Sequence, residues 1–209
     1  MFSLQTIFGK GDMFYGLLEA SADAARQSTR ALIAMLNAPV SARSLDEFRL
    51  ARRREKDLLA KINKALVDTF VTALEREDIE ALAAALYKIP KTVEKFAERY
   101  VMFADRLSEV DYASRAVMLE KATDVIVQMT AQLRRGFQLD AMRDLNEHMQ
   151  SIESEADRLI LDLYRDLFDN ERDPAHLLLR KDLFELLEKA IDRCRDAGNV
   201  IYQIVLKNS

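Results

Sequence analysis

The chain has little of what interrupts a helix: 5 Gly and 3 Pro in 209 residues. Scarce turn residues beside abundant Ala, Leu, Glu, Lys and Arg point to an all-α protein. A single cysteine, Cys194, excludes a Cys/His metal cluster. It lies inside a helical apolar pattern and reads as a small buried hydrophobe, not a nucleophile. One cysteine, and the short, broken apolar stretch of residues 1–8, lead us to expect a reducing cytoplasm and no secretory leader. No run approaches the roughly 18 apolar residues needed to cross a bilayer. A net charge of −4 disfavours general nucleic-acid binding. There is no Gly-rich phosphate loop and no nucleophile elbow. Histidines number two, His148 and His176, with Leu145 and Asp173 three residues before them. A di-iron carboxylate oxidase, also a helical bundle, requires two Glu-x-x-His pairs and is excluded. Both histidines read as surface residues, and no residue is assigned a catalytic role.

What is present is helical periodicity almost from end to end. Apolar residues make up 49% of the chain and charged residues 32%, and the length buries a core without disulfides. Six segments follow, at about 12–37, 43–73, 77–108, 112–136, 139–169 and 174–207. Asn37-Ala38-Pro39 ends the first, and Ser44 can cap the second. Glu75-Arg76-Glu77-Asp78 parts the second from the third, Gly136 closes the fourth, and Pro174 suits a first turn of the sixth. Pro90 falls inside the third and should kink it. Long helices with short loops make antiparallel neighbours in a bundle.

A shift of 101 residues aligns three helix pairs without a gap. Leu18-Glu19 and Asp23 meet Leu119-Glu120 and Asp124; Leu66 meets Leu167; Leu82 and Leu86 meet Leu183 and Leu187. The expected architecture is two antiparallel three-helix bundles related by duplication, residues 1–109 and 110–209, packed on each other. The alternative is one six-helix bundle without internal symmetry.

The fifth and sixth segments each carry a Glu four residues before an Asp: Glu153/Asp157 and Glu188/Asp192. On a helical wheel Asp157 lies about 40° from Glu153, inside a stripe holding Met149 and Ile160. Glu188 and Asp192 flank the stripe of Leu183, Leu187, Ile191 and Cys194, with Glu185 one turn earlier. Ionised carboxylates beside a core are costly unless paired, protonated or bound to a cation. Two such helices running antiparallel can hold a metal, and oxygen ligands suit hard cations or iron. The competing reading is a salt-bridged face, because Arg158, Lys189, Arg193 and Arg195 stand close by in sequence.

Several of these stretches together resemble the PhoU-like family of phosphate-transport regulators. They are Leu66–Phe70 followed by Glu75-Arg76-Glu77-Asp78-Ile79-Glu80-Ala81-Leu82, then Ile152–Asp157, Leu187-Glu188 with Asp192, and Ile201–Lys207. The group most similar is that of Pit accessory proteins, which accompany low-affinity phosphate transporters. The resemblance implies two three-helix bundles, each able to carry a metal cluster on Glu/Asp-x-x-x-Asp motifs. In the second half Glu153, Asp157, Glu188 and Asp192 match, and Glu120/Asp124 are further candidates. The implied cofactor is a divalent metal or iron, in the second half only. The implied role is non-enzymatic, cytoplasmic regulation of phosphate transport by docking on an inner-membrane transporter, with homo-oligomers and peripheral membrane contact as further expectations.

In the first half the same positions fall on Arg52, Lys56, Tyr87 and Lys91. Glu19/Asp23 remain without motif partners. The basic set of Arg49, Arg52, Arg53, Arg54, Lys56, Lys88, Lys91 and Lys95 has three readings: solvated helix surface, a dock for an acidic partner, or a site for phosphate or anionic headgroups. Beside the regulator stands another class, a helical adaptor that oligomerises without metal or transporter.

Overall fold

The computed structural model describes residues 4–107 and 110–209, with side chains from residue 12 onward except that of residue 40. The reading of residues 1–8 rests partly outside them, and the unit boundary after residue 109 lies outside them. Six helices are seen: Leu4–Asn37 (α1), Asp46–Asp68 (α2), Arg76–Met102 (α3), Ala113–Arg135 (α4), Leu139–Asn170 (α5) and Pro174–Asn208 (α6). Among the described residues there is no strand, and no helix is long and apolar enough to cross a membrane.

Local chemistry explains the ends. The Ser44 hydroxyl accepts from the Asp46 N–H at 3.1 Å as α2 begins. Gly136 ends α4 with φ 104°, a conformation that a side chain opposes. Asp173 accepts from the Ala175 N–H at 2.9 Å, and Pro174 fills the first turn of α6 where no donor is needed. α3 runs unbroken through Pro90. Two expectations are corrected. α2 stops at Asp68, not near 73, because Thr69 turns extended (φ −114°, ψ 122°). Arg76 then donates to the freed carbonyls of Leu66 and Thr69, as cations do at a helix C-terminus. α3 stops at Met102 and gives way to a short 3₁₀ turn at Ala104–Arg106.

The packing is the same in both halves. α2 lies on α1 and α3; α5 lies on α4 and α6; α1 touches α3 as α4 touches α6. Across the halves α1 packs on α4 and α3 on α6. A single cluster of buried apolar residues draws on all six helices. Cys194 is wholly buried in it, and that burial pushes its thiol up, so it packs and does not react.

Phe96 and Tyr100 of α3, Phe184 of α6 and Tyr112 ahead of α4 form an aromatic knot, with Tyr112 and Phe184 centroids 4.7 Å apart. The buried Tyr112 hydroxyl has no partner among the described residues. Tyr112→Phe removes an unsatisfied buried group, so it should stabilise by about 1 kcal/mol and raise the melting temperature by about 2–4 °C. A lower melting temperature in a thermal scan would contradict this.

Candidate metal centre

α5 and α6 are joined by the short loop 171–173, so they run antiparallel side by side. This brings Glu153 and Asp157 of α5 to Asp192 of α6. One carboxylate oxygen from each lies within 4.8 Å of the others. Glu153 and Asp192 are half-buried, and Asp157 is exposed. Glu188 is not in this group. It lines a neighbouring groove of about 560 Å³ with Tyr164, Glu185, Lys189 and Asp192. The Tyr164 hydroxyl donates to Glu185 at 2.6 Å, and Lys181 also binds that carboxylate, which holds Glu185 below its usual range.

Glu153 and Asp192 of the cluster are held above their ordinary values mainly by burial. Burial is the main cause lifting Glu153 above its ordinary value; Asp157 and Asp192 add repulsion, and Arg195 opposes it. Burial also lifts Glu188 and Asp192, with repulsion from Asp157 added to both. One cation enters the group: Arg195 Nη1 lies 3.0 Å from Glu153 Oε1. The other candidate acids go elsewhere. Glu120 and Asp124 face Arg30 (2.9 Å) and Arg26 (3.6 Å) of α1, and Glu19 binds Arg134 of α4 at 2.9 Å. These pairs stitch α1 to α4, so the expectation that Glu120/Asp124 join the cluster is corrected.

In the first half the corresponding place is filled by an ion pair. Arg52 Nε donates to Glu94 Oε2 at 3.0 Å, its Nη2 donates to the Tyr87 hydroxyl at 2.8 Å, and its guanidinium lies 4.4 Å from the Tyr87 ring centroid. Arg52 is only 7% exposed. It is therefore not part of a surface patch, which corrects that expectation. Arg53, Lys56 and Lys91 are exposed, and among the described residues none is in an ion pair. The shift of 101 that sets Arg52 on Glu153 also sets Glu94 on Arg195. Both halves thus hold the same ion pair, each at 3.0 Å, with its polarity reversed.

No family model matches the chain. The UPF0111 protein YkaA of Bacillus subtilis (strain 168) is 26% identical over 159 residues, 73% of this chain and 72% of that protein. A crystal structure of a PhoU-like protein from Shewanella oneidensis MR-1 superposes with a TM-score of 0.79, covering 93% of this chain and 99% of its own, at 17% identity. The chain is PhoU-like in fold. A second structure from that organism, a PhoU-like phosphate regulatory protein by its description, superposes with a TM-score of 0.74 over the same shares, also at 17% identity.

The resemblance to PhoU-like proteins implied a metal on Glu153, Asp157, Glu188 and Asp192, and three of the four converge. Their all-oxygen donor set suits a hard cation. A metal would compete with Arg195 for Glu153, and Glu188 would need to swing in from its groove. Among the described residues the first half offers no such set, because a guanidinium stands where Glu153 stands. The sequence reading missed the Arg52–Glu94 and Arg195–Glu153 pairs, although the shift of 101 applied to Glu94 contains the signal. It also missed Glu55, which is 0% exposed on the inner face of α2 and accepts from the Ser21 hydroxyl.

Proposed function

We propose that this chain is a non-enzymatic, cytoplasmic regulator of inorganic phosphate transport that docks on a Pit-type transporter at the inner face of the membrane. The observation that carries the reading is the PhoU-like fold over nearly the whole chain, with an acid cluster kept in its second half. The relative described as a phosphate regulator supports the same direction. Glu153, Asp157 and Asp192 would hold a divalent metal or iron, which would supply a fixed positive charge between α5 and α6. The two three-helix units, residues 1–109 and 110–209, are read as a duplication of which the second alone keeps the donors. Exposed Arg53, Lys56 and Lys91 are free to meet an acidic partner.

Phosphate uptake in cells lacking the gene tests the role. We expect altered uptake, restored by the wild type and not by Glu153→Ala/Asp157→Ala. Unaltered uptake in the deletion would sink the reading. Metal is tested on the purified protein: Mn²⁺ or Fe²⁺ should raise the melting temperature of wild type and leave that of Glu153→Ala/Asp192→Ala unmoved. A second reading, a self-associating helical adaptor, is favoured by the exposed Leu161, Phe168 and Leu178 on α5 and α6. Copurification from detergent extracts separates the two, since the regulator should retain a phosphate transporter and the adaptor only further copies and other partners.

A further inference from the structure

The last turn of α2 and the loop that follows show three apolar side chains to solvent. Phe70 is 97% exposed, Val67 84% and Val71 57%. A loop of this kind ordinarily turns such residues inward, and large exposed apolar patches mark interaction sites. Here hydrogen bonds hold the backbone in the outward arrangement. Arg76 binds the carbonyls of Leu66 and Thr69, the Thr72 hydroxyl donates to the Leu74 carbonyl at 2.6 Å, and Leu74 is buried as the anchor. The tip is thus braced at both ends with its apolar residues outward. Beside it lies a mainly apolar groove of about 410 Å³ floored by Met13, Leu17 and Ala65. Lys61 and Lys64 line that groove together with Asp68. Both lysines are exposed, and among the described residues neither is in an ion pair. The nearby Glu75 and Asp78 share a single cation, Lys207 of α6.

We propose that this tip is a membrane anchor: Phe70, Val67 and Val71 enter the interface of an anionic bilayer while Lys61 and Lys64 meet its headgroups. A convex apolar tip needs no matching pocket in a fluid interface, whereas a protein partner would need one. Lysine stems lie along the apolar surface and carry the charge to the phosphate level. Asp68 offsets part of the charge of the two lysines, and an anionic lipid complements what remains. Two lysines opposed by one aspartate strengthen binding to a charged surface by roughly fivefold. The inference goes beyond the transport reading and stands without it, since it concerns lipid alone.

The chain contains no Trp, so Phe70→Trp in the full protein is a unique fluorophore at the tip. With vesicles of phosphatidylcholine and phosphatidylglycerol its emission should shift to the blue and be quenched by nitroxide-labelled acyl chains. With phosphatidylcholine alone, binding should weaken by about fivefold. Lys61→Glu/Lys64→Glu should remove that preference, and Val67→Ser/Phe70→Ser/Val71→Ser should abolish flotation with vesicles. All these side chains are exposed, so circular dichroism and melting temperature should stay at wild-type values and separate lost binding from lost folding. Unshifted emission with both vesicles would overturn the proposal, as would flotation of the triple variant equal to wild type. A shift produced by solubilised membrane proteins but not by lipid would assign the tip to a protein partner and also overturn it. Lipid binding with unaltered phosphate uptake would sink the transport reading and leave this one standing.

Discussion

Arg52→Glu should lower stability by about 4 kcal/mol, and Glu94→Arg in the same chain should restore most of it. Removing one partner of a buried ion pair strands the other, at a cost of roughly 3–5 kcal/mol. Here the stranded groups are Glu94, which burial already lifts above its ordinary value, and the Tyr87 hydroxyl. The new carboxylate would also face Glu55, whose charge Arg52 now helps to offset. For a chain of this size the melting temperature should fall by roughly 8–16 °C. Recovery is expected because Glu153 and Arg195 hold the opposite polarity at the same separation in the second half. A double variant no more stable than Arg52→Glu would show that the two pairs are not interchangeable. Chemical and thermal unfolding of the two single variants and the double variant form the cycle that measures this.

Glu55→Gln should stabilise the protein at neutral pH and do nothing in acid. Glu55 is fully buried, one of its oxygens has no partner among the described residues, and burial lifts it from 4.5 to about 6, against the Ser21 hydrogen bond and Arg52. The folded state therefore holds this proton to a higher pH than the unfolded chain does. Between about pH 4.5 and 6 the folded state binds more protons, so stability falls as pH rises through that window. Keeping this carboxylate ionised in its buried site costs roughly 2 kcal/mol above that window. The neutral amide keeps the Ser21 contact and escapes that cost. The variant should melt about 4–8 °C above wild type at pH 7.5 and level with it at pH 4. An equal gap at both pH values would refute the assignment.

Much of this was legible in the sequence, because helical periodicity in a chain poor in Gly and Pro leaves few alternatives. Pro174 and Gly136 marked their boundaries through backbone chemistry. The end of α2 did not show, since apolar residues continue through Val71 and no Gly or Pro marks Thr69. Arg76 caps that break from outside the helix. Of the candidate site, the convergence of Glu153, Asp157 and Asp192 followed from helical spacing and an antiparallel hairpin. Glu188 differs because its side chain opens into the groove with Glu185, a detail of packing that spacing does not contain. Arg52 and Glu55 were hidden inside Arg52-Arg53-Arg54-Glu55-Lys56, a run that looks solvated as a whole. Yet Phe48, Arg52, Glu55, Leu58 and Ile62 recur at helical intervals, and all five are buried. The stripe was there; its charged members disguised it.

The packing of α1 on α4 and of α3 on α6 sets an order for synthesis at the ribosome. Each of these first-half helices closes against a helix made about a hundred residues later. The first three helices emerge with a face that nothing yet covers, and contacts so distant in sequence form slowly. The shared core therefore closes only once α4 and α6 have been made, and until then the first half keeps that face open.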